Sequence, residues 1–127
     1  MNVPETVRAA MRTTNDLFNS QVIGKQDVNE LDRVYTRNAR ILPPGAAMIE
    51  GREQVKAFWQ GAIKALGLKS AKLTTVDAEA LGDRVFEIGR ADLLVGSVDT
   101  VTVKYVVQWK QEEGDWKWHV DIWNANQ

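Results

Sequence analysis

Hydrophobic residues recur at two different spacings in the two halves of the chain, and the change falls near Gly67. Apolar positions three or four residues apart are typical of amphipathic helices, whereas strict alternation is typical of strands with one buried face. The helical pattern predicts helices over residues 5–20, 27–35 and 52–66. The alternating pattern predicts long strands over residues 70–81, 84–95, 99–111 and 115–124.

Turn signals separate these segments. Gly82-Asp83 and Gly96-Ser97 each place glycine first in a two-residue hairpin turn. Pro43-Pro44-Gly45 ends a short edge strand predicted at residues 38–42, because proline cannot donate to a strand ladder. A brief strand is predicted at residues 46–49. The order of elements predicts one α+β domain over residues 1–127, with helices packed on one face of a curved, mixed or antiparallel sheet.

Composition narrows the classes of function. The net charge is −1 and no basic stripe appears, which argues against nucleic-acid binding. No apolar run approaches the roughly 18 residues of a membrane helix, and the N-terminus lacks the features of a signal peptide. The chain has no cysteine, which excludes disulfides and thiolate chemistry. We therefore expect a cytoplasmic protein that contacts neither nucleic acid nor membrane.

The segment 116–124 holds three of the five tryptophans and the single histidine. Successive side chains of a strand point to opposite faces. One predicted face carries Trp116, Trp118, Val120 and Ile122. The other carries Lys117, His119, Asp121 and Trp123. The first face is too apolar to leave in water, so we predict a homodimer through it; the alternative is that loops of the same chain cover it.

His119 and Asp121 are the candidate catalytic residues. They lie two apart on one predicted strand face, where a carboxylate raises the pKa of a neighbouring imidazole and lowers its own. Such a pair can act as a general base on a ligand in a pocket. The alternative is a structural hydrogen bond that anchors the sheet.

Several further side chains are candidates for the pocket wall. Glu87 lies in an apolar strand, so it is either a second acid in the pocket or the buried partner of a cation at Arg84, Arg90 or Lys104. Each aromatic candidate lines the pocket or simply packs in the core; these are Tyr105, Trp59, Trp109 and Trp123. We predict no metal and no cofactor, because the chain has neither metal-ligand spacing nor a nucleotide-binding motif.

Four short segments resemble one family. They are Ile41-Leu42-Pro43-Pro44, Phe86-Glu87-Ile88-Gly89, residues 104–110 and residues 119–124. Together with the order of elements they resemble the SnoaL-like and ketosteroid-isomerase-like proteins of the nuclear transport factor 2-like superfamily. The resemblance implies a cone of curved sheet wrapped around helices, a pocket at the open end and a dimer.

The isomerase residues are not matched in this chain. Ketosteroid isomerase uses an aspartate base, with a tyrosine and a protonated aspartic acid as donors to the oxyanion. The resemblance places the base at Leu42 or Pro43, the tyrosine near Thr14 and the second aspartate at Tyr105. It therefore implies pocket positions at Leu42, Thr14 and Tyr105 without the isomerase chemistry.

Two classes of function remain open. One is binding of a small hydrophobic or amphipathic molecule, with isomerase, cyclase or hydrolase-type catalysis by His119 and Asp121. The other is a non-catalytic domain for ligand binding or association. A domain that serves interaction alone would fill the cavity with its own side chains.

Overall fold

One curved six-stranded sheet packs its inner side against the helices in the computed structural model, which describes residues 2–126. The α+β prediction is confirmed. The side of the sheet that faces the helices is called the core side here, and the opposite side the outer side. Within residues 2–126, no helix is both long enough and apolar enough to cross a membrane.

The helical elements differ in type from the three predicted helices. The first α-helix, α1, spans Glu5–Leu17 and continues as a π-helical segment at Phe18–Ile23. The second predicted helix is only a 3₁₀ segment, Val28–Arg33, because Tyr35 already begins a strand. The third is confirmed as α2, Arg52–Leu66, which ends at Gly67 in the left-handed conformation that favours glycine.

The strands are named in chain order. They are β1 (Tyr35–Leu42), β2 (Ile49–Glu50), β3 (Leu68–Leu81), β4 (Arg84–Val95), β5 (Asp99–Glu112) and β6 (Asp115–Ala125). Their order in the sheet is β2-β1-β6-β5-β4-β3, and β3 to β6 form the predicted antiparallel meander. The predicted edge position of β1 is wrong, since β1 pairs with β2 on one side and runs parallel to β6 on the other.

A bulge in β6 changes the alternation of its side chains. Trp109 lies opposite Trp118, but Gln108 lies opposite Val120, so His119 is an extra residue in the ladder. Trp118 and Asp121 are three residues apart and would lie on opposite faces of a regular strand. The bulge brings both to the core side, where both are buried.

The centre of the core is a group of aromatic rings from residues that are far apart in the sequence. Trp118 contacts Phe18, Tyr35 and Trp109, with ring centroids 4.9, 5.1 and 6.2 Å away. The predicted outer position of Trp118 and Trp116 is therefore wrong, since Trp116 also packs against the core. Val120 and Ile122 do lie on the outer side, opposite Gln108 and Val106.

Candidate functional site

A cavity opens between the core side of the sheet and the helices, and we call it the aromatic pocket. Its wall is mostly apolar, and it is lined by Phe18, Trp59, Ala71, Leu73, Ala91, Leu93, Val103, Tyr105, Val107, Trp118, Asp121 and Trp123. The free volume is about 50 Å³. Cavities that hold benzene measure about 150 Å³, so a ligand larger than a few atoms requires the mouth to widen.

Two indole rings form the more exposed part of the pocket wall. Trp59 of α2 and Trp123 of β6 are half-buried and stack with their ring centroids 5.3 Å apart. The indole nitrogen of Trp59 donates a hydrogen bond to the hydroxyl of Tyr35 at 3.1 Å. Trp59 is therefore fixed in the wall by both the stacking contact and this hydrogen bond.

Asp121 gives the aromatic pocket its acid–base chemistry. Among the described residues that line the pocket, it alone carries a carboxyl group, and it is 5% exposed. Tyr35 donates its hydroxyl to Oδ2 of Asp121 at 2.6 Å. No described residue donates to Oδ1, and Oδ1 is not among the buried unpartnered atoms. Oδ1 is therefore the oxygen of Asp121 that remains free to accept a hydrogen bond.

The environment of Asp121 holds its pKa near neutrality. Burial raises the pKa of Asp121 to about 7, the hydrogen bond from Tyr35 opposes this rise, and the charge of Glu87 adds to it. Burial, followed by the charge of Asp121, raises the pKa of Tyr35 well above its usual range. Near neutral pH, Asp121 therefore exists both as acid and as carboxylate while Tyr35 stays protonated.

Glu87 lies behind the pocket wall and is completely buried. Thr75, Tyr105 and Trp109 donate to its carboxylate at 2.6, 2.8 and 3.0 Å, and Asn15 donates at 3.5 Å. Burial, followed by the charge of Glu87, raises the pKa of Tyr105, which therefore remains a hydrogen-bond donor. Glu87 thus orients Tyr105 in the pocket wall instead of facing the cavity itself.

The cations considered for Glu87 are engaged elsewhere. Arg84 lies 3.5 Å from Asp83 and Arg90 lies 3.6 Å from Asp92. Lys104 donates to a backbone carbonyl near the end of β6. The ion pair that was one of the two alternatives for Glu87 does not form, and neutral donors satisfy its buried carboxylate.

Gly89 makes room for the ring of Tyr105. These two residues lie opposite each other on β4 and β5, and a Cβ atom at Gly89 would lie 2.1 Å from the Tyr105 ring. Because a strand position without a side chain lets the ring lie flat on the sheet, Gly89 helps to aim the Tyr105 hydroxyl at Glu87.

The predicted position of His119 beside Asp121 is wrong. Its Nδ1 lies 2.8 Å from Oγ1 of Thr36, and the bulge turns its side chain away from the aromatic pocket. The predicted rise of its pKa is wrong as well. Partial burial lowers the pKa of His119, and the positive charges of Lys110 and Arg84 lower it further. His119 and Asp121 therefore do not act as a pair.

The remaining predicted positions divide into two groups. Trp59, Tyr105 and Trp123 line the aromatic pocket together with Asp121. Three others lie elsewhere: Thr14 donates to the carbonyl of Trp116, Leu42 lies opposite Ile122 on the outer side, and Trp109 is buried against Glu87. In the part of the chain that the structure describes, no three His, Asp or Glu side chains cluster closely enough to hold a metal ion.

Sequence reasoning missed Tyr35 and Phe18. Tyr35 was assigned to a helix although it begins a strand, whereas Phe18 is helical as predicted but was not identified as a pocket residue. The run Val34-Tyr35-Thr36 is rich in β-branched and aromatic residues, which favour strands, so a signal for Tyr35 was present.

The chain belongs to the SnoaL-like domain family, which matches residues 15–119. No curated protein sequence matches the chain. Its fold is similar to that of a cystatin-like protein of unknown function from Nostoc punctiforme, with a TM-score of 0.83 and 10% identity over 99% of this chain and 96% of that one.

Two further similar structures have more specific descriptions. Hexachlorocyclohexane dehydrochlorinase LinA-type3 from Novosphingobium barchaimii matches with a TM-score of 0.76 and 15% identity over 97% of this chain and 88% of that one. A putative calcium/calmodulin-dependent protein kinase type II association domain from Thiobacillus denitrificans matches with a TM-score of 0.76 and 19% identity, over 91% and 94% of the two chains. At these identities the likeness concerns the fold alone.

Proposed function

We propose that the protein binds a small, largely apolar molecule in the aromatic pocket and transfers a proton to or from it through Asp121. The observation that carries this proposal is the buried carboxyl group of Asp121 in the wall of an apolar cavity, where Tyr35 holds one of its oxygens and burial raises its pKa to about 7. A general base works best when its pKa lies near the operating pH.

The hydrogen bonds around Asp121 fix its orientation, as a general base requires. Tyr35 holds one carboxylate oxygen and is itself held by Trp59, so the free oxygen keeps a fixed direction. The hydroxyl of Tyr105 donates to Glu87, which leaves Asp121 as the group that exchanges the proton. Removal of a proton from carbon, followed by its return or by loss of a leaving group, fits this arrangement. Isomerisation and elimination are therefore the favoured reaction types.

A simple carbon acid tests this proposal. The compound 5-nitrobenzisoxazole is apolar, and its ring opens when a base removes its carbon-bound proton. We expect the protein to accelerate this opening, with a rate that rises with pH and levels off above about pH 7, where Asp121 is ionised. Asp121→Asn should reduce the rate by about 100-fold or more.

His119→Gln is the matched control for this assay. It changes the other candidate base, which lies outside the aromatic pocket, and should leave rate and pH profile unaltered. An Asp121→Asn variant as active as the wild type, or a profile without an inflection near pH 7, would contradict the proposal.

A second candidate function, association of two copies, is favoured by the outer side of the sheet. An apolar row crosses neighbouring strands there, with Ile88 opposite Val106 and Val106 opposite Ile122. These side chains are between 38% and 51% exposed, and Phe86 lies next to them at 37%. We propose that this row, which keeps Ile122 of the predicted stripe but neither Trp116 nor Trp118, forms the centre of a homodimer interface.

Sedimentation tests the dimer. We expect a mass of about twice the 14.3 kDa of one chain at micromolar concentration. Val106→Asp places a charge in the centre of the row and should give monomers. Val98→Asp is the control, because Val98 is 79% exposed in the turn between β4 and β5. A monomeric wild type, or a Val106→Asp variant that remains dimeric, would rule out this interface.

A further inference from the structure

A second cavity lies between α1 and β3, and we call it the α1–β3 cleft. Its free volume is about 310 Å³. Its lining has more polar and charged side chains than that of the aromatic pocket, among them Arg8, Arg12, Asn15, Asp16 and Thr75. None of these side chains takes part in the proton transfer proposed above.

The edge strand supplies backbone donors to this cleft. β3 is the last strand of the sheet, so every second N–H group of β3 points away from β4. Three of these groups donate to side chains: Ala71 to Asn19, Ala78 to Asp77 and Ala80 to Asn2. Leu73 and Thr75 lie two and four residues after Ala71, so their N–H groups point the same way as that of Ala71; an irregularity in the β3 register comes only after Thr75. Both residues line the cleft. Their N–H groups therefore point away from β4, on the side of β3 that has no neighbouring strand.

Two guanidinium groups lie at the same cleft. Arg8 and Arg12 reach Glu5 at 2.8 and 2.7 Å, but these contacts use one nitrogen of each side chain. Nε of Arg8 is buried and has no acceptor among the described residues. Asp16 is the one carboxylate among the described lining residues, and Glu5, outside the lining, pairs with both arginines.

The cleft adjoins the aromatic pocket. Leu73 lines both cavities. On the helical side, Asn15 lines the cleft, and Phe18, three residues later, lines the pocket. The two cavities therefore share one lining side chain, that of Leu73, and lie next to each other along β3.

We infer that the molecule bound by the protein is an amphipathic carboxylate. Its apolar part occupies the aromatic pocket, and its carboxylate lies in the α1–β3 cleft, where Arg8, Arg12 and the N–H groups of Leu73 and Thr75 can donate to it. Hydrogen bonds between guanidinium and carboxylate groups are stronger than neutral ones. This inference rests on the proposed function in one respect, namely that the apolar part occupies the aromatic pocket.

A series of ω-phenylalkanoates and the alcohols of the same length tests the inference by calorimetric titration. At the best chain length we expect the acid to bind about tenfold more tightly than its alcohol. Arg8→Gln should remove this preference. Glu5→Gln should increase it, because it releases both arginines.

Arg33→Gln is the matched control. Arg33 pairs with Glu30 at the same three-residue spacing but lies outside the cleft, so its replacement should not change the preference. Equal binding of acids and alcohols would overturn the inference and leave the aromatic pocket in place as the site for the apolar part. A preference that persists in Arg8→Gln, or that is the same at every chain length, would also overturn it. If neither series binds, this inference fails, and the 5-nitrobenzisoxazole assay decides separately whether Asp121 is a base.

Discussion

Glu87→Ala is expected to lower the free energy of unfolding by about 3 kcal/mol, one of the two largest effects that the structure predicts. The carboxylate is completely buried and accepts hydrogen bonds from Thr75, Tyr105 and Trp109. Its removal leaves these three donors, and the more distant Asn15, without this acceptor, and each buried unsatisfied group costs about 1–3 kcal/mol before the side chains rearrange. Urea unfolding followed by tryptophan fluorescence measures the loss.

Two further variants test whether the loss of stability comes from the buried carboxylate of Glu87. Glu87→Gln keeps the volume and one acceptor oxygen, so it should cost less than Glu87→Ala. Glu79→Ala removes an exposed glutamate from β3 and should change stability by less than about 0.5 kcal/mol. A Glu87→Ala variant within about 1 kcal/mol of the wild type would show that the donors find other partners.

Asp121 is expected to make the protein less stable as the pH rises. Burial raises its pKa to about 7 in the folded chain, whereas an unfolded aspartate has a pKa of about 3.9. The folded state therefore holds the proton more tightly. The proton on Asp121 therefore stabilises the folded state fully below about pH 4, and this stabilisation is lost as the pH rises to about 7. The pKa difference corresponds to a loss of up to about 4 kcal/mol.

Urea unfolding at several pH values between 4 and 8 measures this effect. Asp121→Asn keeps an oxygen that can accept from Tyr35 but cannot ionise, so the variant should lose less stability with pH and should exceed the wild type at pH 8. Asp83→Asn, at an exposed turn position, should behave as the wild type does. Parallel pH profiles for the wild type and Asp121→Asn would show that Asp121 ionises normally.

The meander was predictable because each of its strands has a strong local signal. Alternation and turn glycines predicted the bounds of β4 and β6 to within a residue or two. The bulge at His119 has no such signal, since Trp118, His119 and Val120 are all acceptable in a regular strand. The assignment of faces therefore failed upstream of the bulge and succeeded at Asp121 and Trp123.

The candidate site was only partly predictable because its contacts are long-range. Asp121 was identified from its strand face, but Tyr35, its hydrogen-bond donor, lies 86 residues earlier. A helical spacing through Leu31 and Val34 favoured a helix there, and pairing with β6 overrode it. Likewise, nothing near Glu87 in the sequence indicated that Asn15 and Thr75 would donate to it in place of a cation.

The extra residue in β6 also affects how this chain should be aligned with its relatives. In a relative with a regular last strand, the inward neighbour of the residue equivalent to Trp118 comes two positions later, whereas here Asp121 comes three positions later. An ungapped alignment anchored on Trp118 would therefore match Asp121 to an outward-facing position. Residue roles can be transferred across this strand only with a one-residue gap at His119.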